Sequence, residues 1–438
     1  MSSPQATMNR RVWRMAWPIV VSNVSVPLLG AVDTAVVGHL PDPSFIGAVA
    51  IGAMIFTFIF HGFNCLRMGT TGPTAQARGI GDMGEVRAML GRALFLAGTI
   101  GCAVVVLQLP IVGLAFSAID ASSGVESLGR EYFLIRVWAM PASLASFAFI
   151  GWFYGLHDSR IPLVLQLFTN AVNIGLDFLF VFGFGWAVAG VAAATLIAEY
   201  LGFLLAIILV VRRLRRLPAG ANAARIFEPA QFRKMMAVNT DIFLRTMCVV
   251  SGFAVFMAQS ARFGDITLAA NQVLYTFAHF MTFGLDAFAH AAEALVGEAV
   301  GRRDRDAFRR AVRGAFLWAG ITAVGCAAVY AVFGSWVIAV MTTIPEVRAA
   351  AADYLLWAVV SPLIAVWAYT YDGVYLGATR TRFLRNAMLL SFIPYMAVVF
   401  LLMPVIGNHA LWLGLMVFLG CRAIAQVIGY NALVRSIG

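Results

Sequence analysis

Acidic residues inside apolar runs are the first candidates for chemistry in this sequence. Asp33 lies in PLLGAVDTAVVGHL, residues 27–40, where nearly every other side chain is apolar, small or hydroxylic. A carboxylate in hydrocarbon costs free energy unless it is paired or reaches water, so an ionisable residue at such a position indicates a function. An acid that snorkels to the outer interface, or that pairs with an arginine, is the alternative interpretation.

A second polar group follows at helical spacing in LQLFTNAVNIGLDFLF, residues 165–180. Its polar members are Gln166, Asn170, Asn173 and Asp177. Their spacing of four, three and four residues places them on one helix face, which cannot look at lipid. Asn173 and Asp177 can offer oxygen atoms to one small cation, and Thr195 in the next apolar run can add another. A polar seam between helices is the alternative.

A longer polar stripe occurs in the second half of the chain. Its members are His279, Asp286, His290 and Glu293. Histidine and glutamate can be tuned to titrate near physiological pH, so the stripe indicates a proton-titrating or substrate-facing surface. The sequence has metal-ligand residue types here but no HExxH motif and no third clear ligand, so we do not predict a zinc site.

Two further acids have nearby partners in the sequence. Asp372 lies in YTYDGVYLG, where the flanking aromatic residues could line a cavity for a flat cationic ligand. Aromatic packing at the membrane interface is an equally good explanation of that stretch. Asp241 and Arg245 are one helical turn apart, and we expect them to pair with each other.

The elements that carry these residues are membrane spans. The 438 residues are 61% hydrophobic and 12% charged, with a mean hydropathy of +0.86, whereas soluble domains carry about 25% charged residues. The five cysteines form no CxxC motif and no cluster with histidine. Windows of about 20 residues predict twelve transmembrane helices: 15–39, 45–68, 91–116, 132–156, 162–184, 187–211, 238–261, 267–297, 314–340, 354–378, 385–406 and 410–434.

The basic residues indicate the expected orientation. With the N-terminus in the cytoplasm, 24 of the 31 Lys and Arg residues fall in the termini and cytoplasmic loops, counting Arg92 and Arg385 at the very start of their spans, and three fall outside. The remaining four lie within spans: Arg67, Arg136, Arg245 and Arg422. This distribution follows the positive-inside rule and predicts that both termini are cytoplasmic. It also accounts for the net charge of +10 without a nucleic-acid partner.

The two halves of the chain repeat each other. ARGIGDMGEVRAMLGRA (77–93) aligns with AVGRRDRDAFRRAVRGA (299–315), and REYFL (130–134) aligns with ADYLL (352–356). Both alignments have the same offset, which pairs position 77 with position 299 and is called the repeat offset below. Six spans per half give the halves the same orientation, related by an axis along the membrane normal, with a central cleft between them. We therefore predict three segments: an N-terminal lobe at 1–211, a cytoplasmic linker at 212–236 and a C-terminal lobe at 237–438.

The assembled pattern resembles the multidrug and toxic compound extrusion (MATE) transporters. The resemblance covers essentially the whole chain, and it begins with the 6+6 spans, the acid in the first span and the NxxxD motif in the fifth. Three segments are similar to the DinF-like branch of that family: LDAFAHAAEALVGEAVGRRD (285–304), YDGVYLGATRTRFLRNAM (371–388) and GNHALWLGL (407–415). One departure is the middle of the seventh span, which reads CVVSGFAVF and lacks the acid of the other branch's C-terminal Na⁺ site.

The resemblance implies an all-α membrane protein with two pseudo-symmetric six-helix bundles in a V shape around a central cleft. It implies export of amphipathic, often cationic compounds in exchange for H⁺ or Na⁺ by alternating access. The implied coupling residues, which would also be the ligands of a Na⁺ ion, are Asp33, Asn173, Asp177 and Thr195. Residues assigned to the substrate cavity or to bending of the first span are Pro18, Tyr132, Asn170, His279, Asp286, His290, Glu293 and Asp372.

The same resemblance implies a protein without catalytic residues or a cofactor, which handles small molecules as a monomer in the bacterial inner membrane. A lipid or glycan flippase of the same superfamily is the main alternative, and it predicts a more arginine-rich cavity. A major-facilitator carrier also has 6+6 spans. An intramembrane enzyme would use His290 with Glu293, but the sequence supplies no nucleophile beside them.

Overall fold

The computed structural model describes residues 3–40, 42, 44–119, 122–218 and 225–437, so Gly220 of the predicted linker lies outside the described residues. Within them the chain forms fifteen α-helices and no strand. The first nine are α1 (Pro4–Gly38), α2 (Ser44–Phe63), α3 (Cys65–Ile80), α4 (Met83–Val106), α5 (Gln108–Ser117), α6 (Ser123–Arg136), α7 (Met140–Gly155), α8 (Arg160–Asp177) and α9 (Ala187–Arg215). The rest are α10 (Pro229–Ser260), α11 (Asp265–Gly301), α12 (Arg305–Met341), α13 (Pro345–Gly377), α14 (Thr381–Ile406) and α15 (His409–Arg435).

The helices confirm a multi-pass, all-α membrane protein. In the described part of the chain, eleven helical segments are long and apolar enough to cross a membrane, with α2 and α3 forming one segment and α6 and α7 another. The eighth predicted span, 267–297, coincides with α11, which has 37 residues. It is not among the eleven, and it carries polar residues such as Asn271, His279 and Asp286 along its length.

Several helices start earlier than the predicted spans. The ninth span was expected from residue 314 and the tenth from residue 354, but α12 begins at Arg305 and α13 at Pro345. A hydropathy window detects only the apolar part of a helix. The true starts are set by local chemistry, because Asp304 caps α12 and Pro345 occupies the first turn of α13.

The local geometry recurs at the repeat offset. It relates the helix starts at Met83 and Arg305, at Ser123 and Pro345, and at Ala187 and His409. Asp82 accepts a hydrogen bond from the Glu85 backbone nitrogen at 2.9 Å, and Asp304 accepts one from the Ala307 nitrogen at 2.8 Å. The two halves therefore use the same N-cap at equivalent helix starts.

Close helix packing recurs at the same offset. A Cβ atom at Gly151 of α7 would overlap the backbone carbonyl of Arg67 in α3, and one at Gly373 of α13 would overlap that of Ala289 in α11. Gly377, one turn beyond Gly373, lies equally close to α11. Small residues at these positions let the helix backbones approach each other in a membrane, where packing rather than hydrophobic burial holds helices together.

The chain divides into two compact units. The N-terminal unit comprises Val21–Met236, and the C-terminal unit comprises Met1–Val20 together with Ala237–Gly438. Helix α1 therefore changes unit after Val20, two residues beyond Pro18. The predicted lobe boundaries at 211 and 237 remain predictions.

Contacts within the C-terminal unit explain why the start of α1 belongs to it. Arg11 Nη2 lies 2.7 Å from Glu298 Oε2. Trp318 Nε1 donates to the Asn9 carbonyl oxygen at 3.0 Å, and the rings of Trp13 and Trp318 are 4.7 Å apart. An ion pair, a backbone hydrogen bond and an aromatic contact thus fasten this segment to α11 and α12.

Candidate functional site

Asp33 and Asp177 meet inside the N-terminal unit. Asp177 is the last residue of α8, directly before a π-helical turn at Phe178–Gly183, and its side chain is completely buried. Asp33 lies half-buried on α1. The two carboxyl groups are within hydrogen-bonding reach of each other.

Asn173 and Thr195 complete the group. Both are buried, and Asn173 Nδ2 lies 3.2 Å from Thr195 Oγ1. With the Asn173 amide turned to satisfy both neighbours, its nitrogen donates to Asp177 Oδ2 at 3.1 Å and its oxygen accepts from Thr195. Thr195 Oγ1 in turn donates to the Val191 carbonyl at 3.0 Å. The structure therefore brings together the four side chains that were grouped from the sequence.

The chemistry of this group follows from its charge. Two carboxyl groups in contact in a poorly solvated position repel each other when both are ionised, so the ionised pair favours binding of a proton or a cation. The amide and hydroxyl beside them add oxygen atoms but no compensating charge. The arrangement can therefore take up and release a small cation or a proton.

Asn170 extends the polar face of α8 towards α1. Its Nδ2 atom donates to Ser25 Oγ at 3.1 Å and to the Ser25 carbonyl at 3.2 Å, and its Oδ1 atom accepts from Gln166 Nε2 at 2.9 Å. This part of the face forms a polar seam between helices. The polar-seam interpretation thus applies to Asn170 and Gln166, whereas the cation site at Asn173 and Asp177 remains a prediction.

Tyr132 and Arg136 lie beside the acidic pair. The Tyr132 ring is buried and occupies the space left by the missing side chain of Gly52. Its hydroxyl oxygen accepts a hydrogen bond from Arg136 Nη1 at 2.6 Å. No role was predicted for Arg136, although it was one of only four arginines within predicted spans.

Asp372 has different surroundings in the C-terminal unit. Its carboxylate accepts hydrogen bonds from the buried side chains of Arg245 and Arg422, and from Gln426 Nε2 at 2.6 Å. The expected pairing of Asp241 with Arg245 is wrong. Asp241 Oδ1 instead lies 2.6 Å from Arg385 Nη1 of α14. Arg245 is not available to Asp241 because it pairs with Asp372 on α13.

The histidine-containing stripe on α11 does not share one environment. His279 is exposed, with its ring 4.4 Å from that of Tyr275, and Asp286 is half-buried. His290 and Glu293 are buried, with His290 Nδ1 3.6 Å from Glu293 Oε2.

The α11 stripe belongs to the C-terminal unit, as does the buried Pro18, whereas Asp33 and Asp177 belong to the N-terminal unit. Among the residues that the structure describes, no three His, Cys, Asp or Glu side chains are grouped to hold a metal ion.

Comparison with known sequences gives the family. The MatE family model matches residues 18–179 and 242–402. The chain is 37% identical to the DNA damage-inducible protein F of Escherichia coli, over 95% of this chain and 91% of that protein. It is 22% identical to a probable multidrug resistance protein NorM of Bacillus anthracis, over 90% and 88%.

Solved structures share the fold. The Vibrio cholerae MATE transporter VcmN in its bent form matches with a TM-score of 0.88 at 20% identity, over 100% of this chain and 99% of that one. A MOP superfamily transporter from Pyrococcus furiosus, described as having a binding pocket of reverse polarity, matches with a TM-score of 0.87 at 17% identity, over 98% and 96%.

Proteins of this family handle small molecules in the membrane and need no cofactor. They are transporters and not enzymes, so the intramembrane-enzyme alternative falls. Two matched halves and a full-length bacterial relative lead to one conclusion: the chain belongs to the MatE family of multidrug and toxic compound extrusion transporters.

Proposed function

We propose that this transporter exports amphipathic, often cationic compounds in exchange for H⁺ or Na⁺ by alternating access. The observation that carries the proposal is the contact between the carboxyl groups of Asp33 and Asp177 in a largely buried position. The description of the Bacillus anthracis relative as a probable multidrug resistance protein supports the substrate class.

Neutralisation of the acidic pair is the proposed coupling step. An ion entering from outside binds between Asp33 and Asp177, with Asn173 and Thr195 contributing oxygen atoms if that ion is Na⁺. Its arrival cancels the negative charge that attracts a cationic compound, so the compound leaves. Release of the ion to the cytoplasm restores the charge and favours binding of the next compound. Coupling thus requires that ion and substrate compete for one charge state.

Physiological gradients supply enough free energy for this exchange. A proton moving down one pH unit releases about 1.4 kcal/mol. A unit charge crossing 100 mV releases about 2.3 kcal/mol more. Together they support accumulation ratios of several hundredfold for a neutral compound, since about 1.4 kcal/mol corresponds to a factor of ten. One-for-one exchange with a monovalent cationic compound moves no net charge, so it draws only on the concentration gradient of the coupling ion.

The setting of the protein forms part of the proposal. We place it as a monomer in the bacterial inner membrane, with both termini in the cytoplasm, and Tyr132 and Asn170 beside the path of the substrate. Pro18, which removes one backbone hydrogen bond from α1, is the position at which that helix bends.

The test is export of a cationic dye from proteoliposomes that contain the full-length protein. A pH gradient alone and a Na⁺ gradient alone are imposed in separate experiments. We expect at least one of them to drive dye movement in the wild type. Asp33→Asn should reduce the movement to that of empty liposomes, because one carboxylate can no longer be charged and discharged.

Asp42→Asn is the matched control. Asp42 is exposed before α2, and its carboxylate accepts from the Ser44 backbone nitrogen at 2.8 Å, an interaction that an asparagine oxygen can also make. Its transport should equal that of the wild type. Gradient-driven export by Asp33→Asn at the wild-type rate would refute the proposal.

A further inference from the structure

A groove opens on the surface of the C-terminal unit between α13 and α15. Its volume is about 440 Å³, and its apolar lining includes Leu363 and Trp367 of α13 and Gly420, Ile424 and Ile428 of α15. Both helices are long and apolar enough to cross a membrane. An exposed apolar surface on such helices is suited to contact with lipid and not with water.

The depth of the groove comes from Gly420. A Cβ atom at this glycine would meet no neighbouring atom within 4 Å, so the missing side chain leaves open space. The side chains around that space are exposed, with 43% of Leu363, 60% of Ile424 and 74% of Ile428 accessible. A hydrocarbon chain in this space would gain van der Waals contact along both helices.

The side of α15 that lines the groove changes from apolar to charged along the helix axis. Ile424 and Ile428 are followed on the same face by Asn431 and Arg435, because seven residues make about two helical turns. Both polar residues are exposed. The stretch from Gly420 to Arg435 extends about 22 Å in an α-helix. One leaflet of a bilayer with its headgroups is roughly 20–22 Å thick, so the polarity of this stretch follows that of a single lipid molecule.

A second arginine lies at the charged end of this stretch. Arg305, the first residue of α12, donates from its Nη2 atom to the backbone carbonyl oxygen of Arg435 at 2.9 Å. Both arginine side chains are exposed. Guanidinium groups bind phosphate through their paired N–H donors, so two arginines at the end of an apolar groove are complementary to a phospholipid headgroup.

We propose that this groove binds one anionic phospholipid. Its acyl chain lies along Gly420, Ile424 and Ile428, and its phosphate group lies at Arg435 and Arg305. An arginine in the last turn of a helix also interacts favourably with the helix dipole, but that interaction gives no reason for the apolar groove that leads to it. The proposal is independent of the exchange of ion and substrate, because the site is formed by α12, α13 and α15 alone.

Binding of lipid to the delipidated full-length protein in detergent, measured by native mass spectrometry, tests the proposal. The two probes are dioleoyl phosphatidylglycerol, which is anionic, and dioleoyl phosphatidylcholine, which has the same acyl chains and no net charge. We expect the wild type to bind the anionic lipid at least about fivefold more tightly, the factor that one arginine near a charged lipid provides.

Two substitutions separate the acyl chain from the headgroup. Gly420→Leu fills the groove and should weaken binding of both lipids at least about tenfold, because the acyl chain loses its apolar contacts. Arg435→Gln leaves the groove intact and should weaken binding of phosphatidylglycerol alone, by about fivefold.

The matched controls are Gly325→Leu and Arg160→Gln. Gly325 is an exposed glycine of α12 at which a Cβ atom would also meet nothing within 4 Å, and Arg160 is an exposed arginine at the start of α8. Both variants should bind the two lipids as the wild type does. If Gly420→Leu does not fold, Ile424→Ala shortens an exposed wall of the groove and should give a smaller loss of binding for both lipids.

Equal binding of the two lipids by the wild type overturns the proposal, as does undiminished binding to folded Gly420→Leu or Ile424→Ala protein. A wild-type dimer that Gly420→Leu converts to a monomer would show that a second copy of the chain occupies the groove, and it would overturn the proposal as well.

Discussion

Buried charge is arranged in opposite ways in the two units. Asp372 faces two arginines and a glutamine, so its charge is compensated within the protein. Asp33 and Asp177 face each other. Their counterparts at the repeat offset are Val255 and Val399, so the acidic pair has no duplicate in the second half.

The buried ion pairs of Asp372 with Arg245 and Arg422 should contribute mainly to the stability of the fold. Asp372→Asn leaves Arg245 and Arg422 buried without their counter-charge. We expect a loss of about 3–5 kcal/mol in the free energy of unfolding, the usual consequence of breaking a buried ion pair on one side. Thermal unfolding in detergent measures it.

Asp353→Asn, which changes an exposed acid on the same helix α13, is the control for that experiment. Its unfolding temperature should match that of the wild type. An Asp372→Asn protein as stable as this control would show that the ion pairs contribute nothing to the fold.

The members of the acidic pair could be predicted from the sequence, but their neighbours could not. Helical spacing placed Asn173 and Asp177 on one face, and rarity of charge singled out Asp33. Arg136 and the partners of Asp372 escaped, because those contacts join residues on different helices. Sequence periodicity describes only the face of one helix, and helix rotation and separation decide which faces meet.

At the scale of helices, close packing at glycine should be sensitive to a single methyl group. Gly373→Ala would push a Cβ atom into the Ala289 carbonyl and force α13 away from α11. We expect a loss of about 1–3 kcal/mol in unfolding free energy, as for other overpacked sites. Unfolding of the purified protein in detergent measures the loss.

Gly320→Ala offers the comparison, since a Cβ atom at Gly320 of α12 meets nothing within 4 Å. Alanine there should be neutral or slightly stabilising, because it restricts the unfolded chain. Equal stability of the two alanine variants would contradict the close approach of α11 and α13.

The cap of α4 predicts a pH dependence outside the membrane. The hydrogen bond from the Glu85 backbone N–H, with a contribution from Arg225, lowers the pKa of Asp82 below its ordinary value. A lowered pKa stabilises the fold at pH values above the ordinary pKa of an aspartate, about 3.9. That stabilisation is lost as the pH falls through the lower pKa of the folded state. Because Asp82 is partly exposed, solvent screening limits the effect to about 0.5 kcal/mol.

Asp82→Asn tests this dependence, since asparagine keeps the capping oxygen but not the charge. The variant should be slightly less stable than the wild type at pH 7, and the difference in unfolding temperature should shrink as the pH falls below the ordinary pKa of the carboxyl group. A difference that grows on acidification would have the wrong sign for a lowered pKa.

Helix existence was easier to predict than helix extent. Apolar windows found a helix for every predicted span, because the membrane demands continuous internal hydrogen bonding. They missed the break at Asn64 between α2 and α3 and the polar starts of α12 and α13, since caps and turns are set by single side chains and not by mean hydropathy.

At the scale of the whole molecule, the repeat and the function diverge. Helix starts, caps and packing glycines recur at the repeat offset, so both halves are built alike. The contact between Asp33 and Asp177 is not repeated, because the equivalent positions of the second half are valines. Helix α1 carries Asp33 in one unit while its first residues, up to Val20, belong to the other. The proposed coupling chemistry is thus local, although the helix that carries Asp33 belongs to both units.

Release of protons on substrate binding tests the central claim most directly. A cationic dye is added to the purified protein in sodium-free, weakly buffered detergent solution, and the pH change is recorded. We expect dye binding to expel protons from the wild type and to expel none from the Asp33→Asn/Asp177→Asn double variant. Dye binding without proton release from the wild type, or equal release from the double variant, would contradict the exchange of substrate and ion at this acidic pair.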